Sequence, residues 1–171
     1  MRVLSVFIFS LFVIFSCDTL PNLSENAQIS SCGGFEQEIV LHGVDEEEYC
    51  KDELFTWKYN EESKTLSFIN KNVWLNCCGD HSLRVEKKEG KFIIHEKDAP
   101  EGGDARCSCM CFFDFKADIP ILSSDTMAID IELYRFVTDS DRGDDKVWEA
   151  TFDLSQKTGV STIKEHIGWC D

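Results

Sequence analysis

The chain lacks the short signatures that identify most enzymes. No Gly-x-Ser-x-Gly elbow occurs that would expose a nucleophilic serine on a strand-to-helix turn. No His-Glu-x-x-His pair is set to hold zinc, and no glycine-rich loop is set to cradle phosphate. Cys-x-x-Cys is absent, which removes the usual dithiol redox motif and the paired knuckles of a zinc ribbon. No apolar run reaches the roughly 20 residues that a transmembrane helix needs. Positive charge is scarce: 17 Lys and Arg stand against 32 Asp and Glu, a formal net charge of −15. Such a surface repels the phosphates of nucleic acid and the headgroups of anionic bilayers. It suits solubility, a cation or a basic protein partner. We therefore expect no catalytic residue, no cofactor and no nucleic-acid partner.

What is present starts at the N-terminus. Met1-Arg2 carries one positive charge, and Val3 to Phe15 is then almost unbroken Val, Leu, Ile and Phe, interrupted only by Ser5 and Ser10. A helix over that stretch would be about 20 Å long at ~1.5 Å per residue. That is too short to span a bilayer but right for the apolar region of a signal peptide. The run ends in Ile14-Phe15-Ser16-Cys17. This resembles a bacterial lipoprotein signal peptide, with Ile14 and Ser16 at the lipobox positions and Cys17 as the modified residue. The resemblance implies removal of residues 1–16, lipid attachment at Cys17 and anchorage to a membrane of the cell envelope. Two or more acyl chains hold a protein stably where one does not. Residues 17–31 then read as the lipidated cysteine and a flexible tether, spanning about 20 Å root-mean-square. Residues 32–171 form one Cys-rich domain.

The chain has nine cysteines. If Cys17 takes the lipid, eight remain: Cys32, Cys50, Cys77, Cys78, Cys107, Cys109, Cys111 and Cys170. An even number in an oxidising compartment reads as a disulfide framework, although eight cysteines allow 105 pairings.

Short β-type segments fill the domain. Apolar residues alternate in Phe35–Leu41 and Leu54–Tyr59, and further runs lie at Thr65–Ile69 and Val73–Cys77. Ser82–Glu96 reads as a hairpin around Lys88-Glu89-Gly90. Cys107–Ile119 alternates over thirteen residues, with the three cysteines, Phe113, Phe115, Ala117 and Ile119 on one parity. Its length predicts a bulge or bend. Met127–Val137 and Val147–Leu154 follow, and Thr158–Gly168 has the character of a short helix. The spacing predicts an all-β fold, an antiparallel β-sandwich-like domain stapled by disulfides.

Neighbours at i and i+2 in a strand have Cα atoms about 6.6 Å apart with parallel side chains, so bridges within the 107–111 triplet are disfavoured. Each thiol should instead reach another segment. Cys77 and Cys78 are the nearest candidates, and at least one of them should bond to the triplet, although adjacent extended residues point to opposite faces and would let only one meet it directly. A metal site is the alternative, with Cys77, Cys78, His81 and the triplet offering soft ligands for Cu(I) or Zn. Thiol-redox work is a third reading.

Asn-Cys-Cys-Gly-Asp-His, followed by a hairpin and then Cys-Ser-Cys-Met-Cys-Phe-Phe-Asp-Phe, resembles a group of Cys-rich bacterial lipoproteins. That group pairs an "NCC" segment with a "CxCxC-aromatic-Asp" strand. The resemblance covers roughly Val73 to Ile119 and implies architecture and location, but no chemistry. His81 reads as an exposed turn residue. Asp139–Asp145 places four carboxylates in seven residues but departs from an EF-hand loop, with Asp144 where Gly is required and Ala150 where Glu is required. The expected role is a lipid-anchored envelope protein acting as a non-catalytic binding or structural module, with the membrane and a protein or cation as partners. The alternative is an envelope metal-binding protein using the Cys cluster or the acidic loop 139–145.

Overall fold

The structure, a computed structural model, describes residues 22–35, 50–100, 106–122, 127–137, 144–168 and 170. The chain forms β1 Glu25–Ile29, β2 Cys50–Asn60, β3 Thr65–Asn76, β4 Gly79–Lys88, β5 Lys91–Pro100, β6 Met110–Pro120, β7 Ala128–Val137, β8 Asp144–Asp153 and β9 Thr158–Gly168. A single 3-10 turn, Leu154–Gln156, joins β8 to β9.

These strands build two facing sheets, ordered β1-β6-β3-β2-β9 and β4-β5-β7-β8. The expected all-β sandwich is observed. Neighbours are antiparallel except β5 and β7, which run parallel. The reason is topological: β6, between them in sequence, lies in the opposite sheet, so the chain returns to β7 in its original direction.

Period-two alternation makes the core. Phe55, Trp57 and Tyr59 of β2 point inward while Lys58 and Asn60 point to solvent. Leu66 and Phe68 of β3, Phe113 to Ile119 on alternate positions of β6, and Ile129 to Leu133 on alternate positions of β7 continue the same layer. Phe55 sits at its centre, with ring centroids 5.1 Å from Phe68, 5.0 Å from Trp148 and 5.7 Å from Phe152. Full burial of such a side chain contributes about 1.5–3 kcal/mol. The hairpin expected over Ser82–Glu96 is β4–β5. Glu89 and Gly90 both take positive φ, 52° and 84°, the primed two-residue turn that matches strand twist.

Four expectations need correction. Thr158–Gly168 is a strand, not a helix; β-branched Thr158, Val160, Thr162 and Ile163 suit the pleat, and β2 supplies the hydrogen-bonding partner. Glu25–Ile29, assigned to the tether, is paired to β6. It is polar because both its faces are largely exposed at a sheet edge, where backbone bonds suffice without an apolar stripe. The runs at Thr65 and Val73 are one strand. The bend expected within Cys107–Ile119 is found at Ser108, and opposite β6 the strand β3 carries a register shift between Asn70 and Val73, where Asn72 adopts φ 60°. Finally, β6 starts at Met110, and the chain bends at Ser108 instead of continuing the strand through the first two cysteines. Cys17, most of Phe35–Leu41 and residues 139–143 of the acidic loop lie outside the described residues.

If Phe55 is the centre of the core, Phe55→Ala should lower unfolding free energy by about 3–5 kcal/mol. Denaturant melts of the oxidised protein check this; a loss below about 1 kcal/mol would place the core elsewhere.

Candidate functional site at the polar end of the sandwich

The inward parity of β5 reads Phe92, Ile94, Glu96, Asp98, and all four are buried. Apolar residues fill one half of the strand's inner face and carboxylates the other. The same change occurs on neighbouring strands. Glu53 shares the parity of Phe55 in β2, Asn70 that of Phe68 in β3, His81 that of Leu83 in β4 and Arg135 that of Leu133 in β7. The sandwich therefore has an apolar end and a polar end. The cysteine cluster caps the polar end.

Beyond the last pair of β3 and β6, Cys77 N–H donates to the Cys109 carbonyl at 3.2 Å. Three disulfides join the strands there: Cys77–Cys109, Cys78–Cys107 and Cys32–Cys111, with Cα–Cα distances of 5.6, 5.7 and 5.4 Å. The fourth, Cys50–Cys170, ties the start of β2 to the chain beyond β9. The expectations of bridges from the 77–78 segment to the triplet, and of none within the triplet, are met. Both Cys77 and Cys78 reach the triplet, not one. Cys77 and Cys78 lie in a turn and not in a strand, so the opposite-face rule does not apply to them. Asn76 fastens the two turns together: its amide nitrogen donates to the Cys107 carbonyl at 2.8 Å and its amide oxygen accepts from Cys78 N–H at 3.0 Å.

Beneath the cluster lies Asp98. Arg106 donates from Nη1 to Asp98 Oδ1 at 2.7 Å and from Nη2 to the Asp98 carbonyl at 2.9 Å. His81 Nε2 stands 3.2 Å from Asp98 Oδ1. Burial pushes the Asp98 carboxyl up, but His81 and Arg106 outweigh it and hold the group below its ordinary value. His81 is not the exposed turn residue expected. Its side chain is 7% exposed and its ring centroid lies 4.4 Å from that of Phe113. Gly79 permits this packing, since a Cβ there would come within 2.1 Å of Asp98 Oδ1.

Deeper in, a second charged group links the sheets. Asn70 Nδ2 donates to Glu53 at 3.1 Å and to Glu96 at 2.8 Å. Arg135 donates from Nε to Glu96 at 3.0 Å, from Nη1 to Glu53 at 3.2 Å and from Nη2 to both carboxylates. Glu53 and Glu96 are 2% and 1% exposed. Burial pushes the Glu96 carboxyl above its ordinary value; the Arg135 charge opposes this and the Glu53 charge adds to it. Burial works against the charged form of Arg135, but the two carboxylates prevail and raise its pKa further. A cavity of about 260 Å³ opens beside this group, lined by Glu53, Trp74, Arg135, Lys164 and His166.

The Glu53–Asn70–Glu96–Arg135 group was missed by the sequence reading. Its signal was available: four strands each place a polar residue on the parity that is otherwise apolar. The disulfide candidates Cys32 to Cys170 are all placed as bridged residues. The Sγ atoms of Cys78, Cys107 and Cys109 lie within 4.8 Å of one another, but in the oxidised protein each is bonded to sulfur and offers no thiolate for a metal. Of the acidic loop, Asp144 is engaged by His95 Nδ1 at 3.0 Å. No protein-family model, curated protein or solved structure matches the chain.

Arg135→Leu leaves two buried carboxylates without their cation and should cost about 3–5 kcal/mol at neutral pH. Without the guanidinium, nothing opposes the upward push of burial on the Glu96 carboxyl, so the folded variant holds more protons than the unfolded chain. Its stability should therefore recover as the pH falls toward 4.5, the ordinary value for glutamate. Thermal melts across pH check the sign; a deficit that deepens with acid would contradict it.

Proposed function

We propose that this chain is a lipid-anchored protein of the bacterial cell envelope, built as a disulfide-stapled β-sandwich that acts as a non-catalytic binding module. One observation carries the reading. Four bridges use all eight cysteines from Cys32 to Cys170, so the body keeps no sulfur for Cys17. The cysteine left over is the one that follows the apolar segment Val3–Phe15. Complete pairing suits an oxidising compartment, and a leftover thiol at that position suits lipid attachment. The resemblance to Cys-rich bacterial lipoproteins points the same way.

The acidic composition supports a cation or a basic protein surface as the bound partner. A soft-metal role is the second reading, favoured by the closeness of the Cys78, Cys107 and Cys109 sulfurs, and it requires the cluster to be reduced.

Expression of the full chain in a bacterium with an alkyne fatty-acid label tests the proposal. The protein should take the label, partition with membranes and lack residues 1–16, and Cys17→Ser should abolish labelling. An unlabelled product that stays in the cytosol with residues 1–16 intact would overturn it. Metal analysis of the reduced protein separates the second reading from the first.

A further inference from the structure

The three bridges at the polar end are close enough to react with one another. Cys107 Sγ lies 3.3 Å from Cys109 Sγ, and Cys77 Sγ lies 3.3 Å from Cys111 Sγ. Bonded and non-bonded sulfur contacts therefore alternate along six atoms, from Cys78–Cys107 through Cys109–Cys77 to Cys111–Cys32. Cys78 at one end and Cys32 at the other are both exposed. Asn76 holds the Cys78 and Cys107 backbones together and places its Oδ1 3.4 Å from Cys107 Sγ.

We propose that this row of sulfurs is a thiol–disulfide exchange relay that accepts an electron pair from a dithiol at Cys78 and presents the resulting thiol at Cys32. The steps balance. One thiolate of the dithiol attacks Cys78 Sγ, forming a mixed disulfide and expelling Cys107 as thiolate. The dithiol's second sulfur closes on its first and frees Cys78. The Cys107 thiolate attacks Cys109 Sγ, forming Cys107–Cys109 and expelling Cys77. Cys77 attacks Cys111 Sγ, forming Cys77–Cys111 and expelling Cys32. The dithiol is oxidised to a disulfide, one protein disulfide is reduced, and its two protons end on Cys78 and Cys32. Each transfer is attack of a thiolate on a neighbouring disulfide through the ordinary exchange path. Asn76 is a positioning residue for the first transfer. Cys50–Cys170 lies outside the row and takes no part.

The relay does not depend on the anchoring or binding proposal, and its test is separate. The full chain in detergent is treated with one equivalent of dithiothreitol, quenched with acid at intervals, alkylated with N-ethylmaleimide and mapped by mass spectrometry without reduction. The expected result is label first on Cys78 and Cys107 and later on Cys78 and Cys32, with new Cys107–Cys109 and Cys77–Cys111 bridges. Cys50–Cys170 should stay intact. In the Cys77→Ser/Cys109→Ser double variant the middle bridge is gone, and label from Cys78 should stop at Cys107. Label confined at all times to native pairs, with no new bridge, would overturn the relay. So would new bridges that involve Cys50 or Cys170, because they would mark scrambling through unfolding.

Discussion

Two carboxylates from opposite sheets, Glu53 and Glu96, share one guanidinium, that of Arg135, inside the sandwich. The rest of the molecule is arranged around that need. Buried charge is tolerated only when it is paired and hydrogen-bonded. Here Asn70 and Arg135 supply the donors, and all four residues stand on inward positions of four different strands. Removing water from this group requires both sheets to be in register.

A polar interior gives less favourable burial than an apolar one, and the covalent links lie where that deficit falls. Three of the four disulfides gather around the end of β3 and the start of β6. The fourth closes the adjoining edge, joining β2 to the chain past β9. Constraint of the unfolded chain contributes about 2–4 kcal/mol per bridge in the usual case. At the opposite end Phe55, Trp57, Phe68 and Phe152 pack without any bridge. Stability thus has two sources, apolar burial at one end and cross-linking at the other. Asp98, held ionised by Arg106 and His81, joins the two regimes by tying the cluster to β5.

The fold was legible where alternation is unbroken. The parity of Leu54–Tyr59 and of Phe113–Ile119 each assigns the correct face, and the hairpin over Ser82–Glu96 with its Glu89-Gly90 turn follows from its residues. Legibility failed where a residue's neighbours are distant in sequence. β1 carries no apolar pattern because it docks through its backbone, and β9 carries Thr, Gly and Ser whose strand state depends on β2. The face rule at Cys77 and Cys78 broke down because the rule holds only for extended chain. His81 reads from sequence as an exposed turn residue, yet it sits on the inward parity of β4. The charged group was written in the sequence as four exceptions to alternation. A single strand with one inward Glu is unremarkable; its meaning emerges only when the sheets bring the four exceptions together.

Function follows from this construction as far as the cysteines carry it. All eight cysteines from Cys32 to Cys170 are paired, and this pairing supports the proposal of an oxidising setting with Cys17 as the site of lipid attachment. The direct measurement is non-reducing peptide mapping, with thiol counting, of the protein extracted from membranes. The account predicts the pairs Cys32–Cys111, Cys50–Cys170, Cys77–Cys109 and Cys78–Cys107, and a Cys17 that carries a lipid mass. Free thiols among the central cysteines, or Cys17 joined by a disulfide to the body, would contradict it.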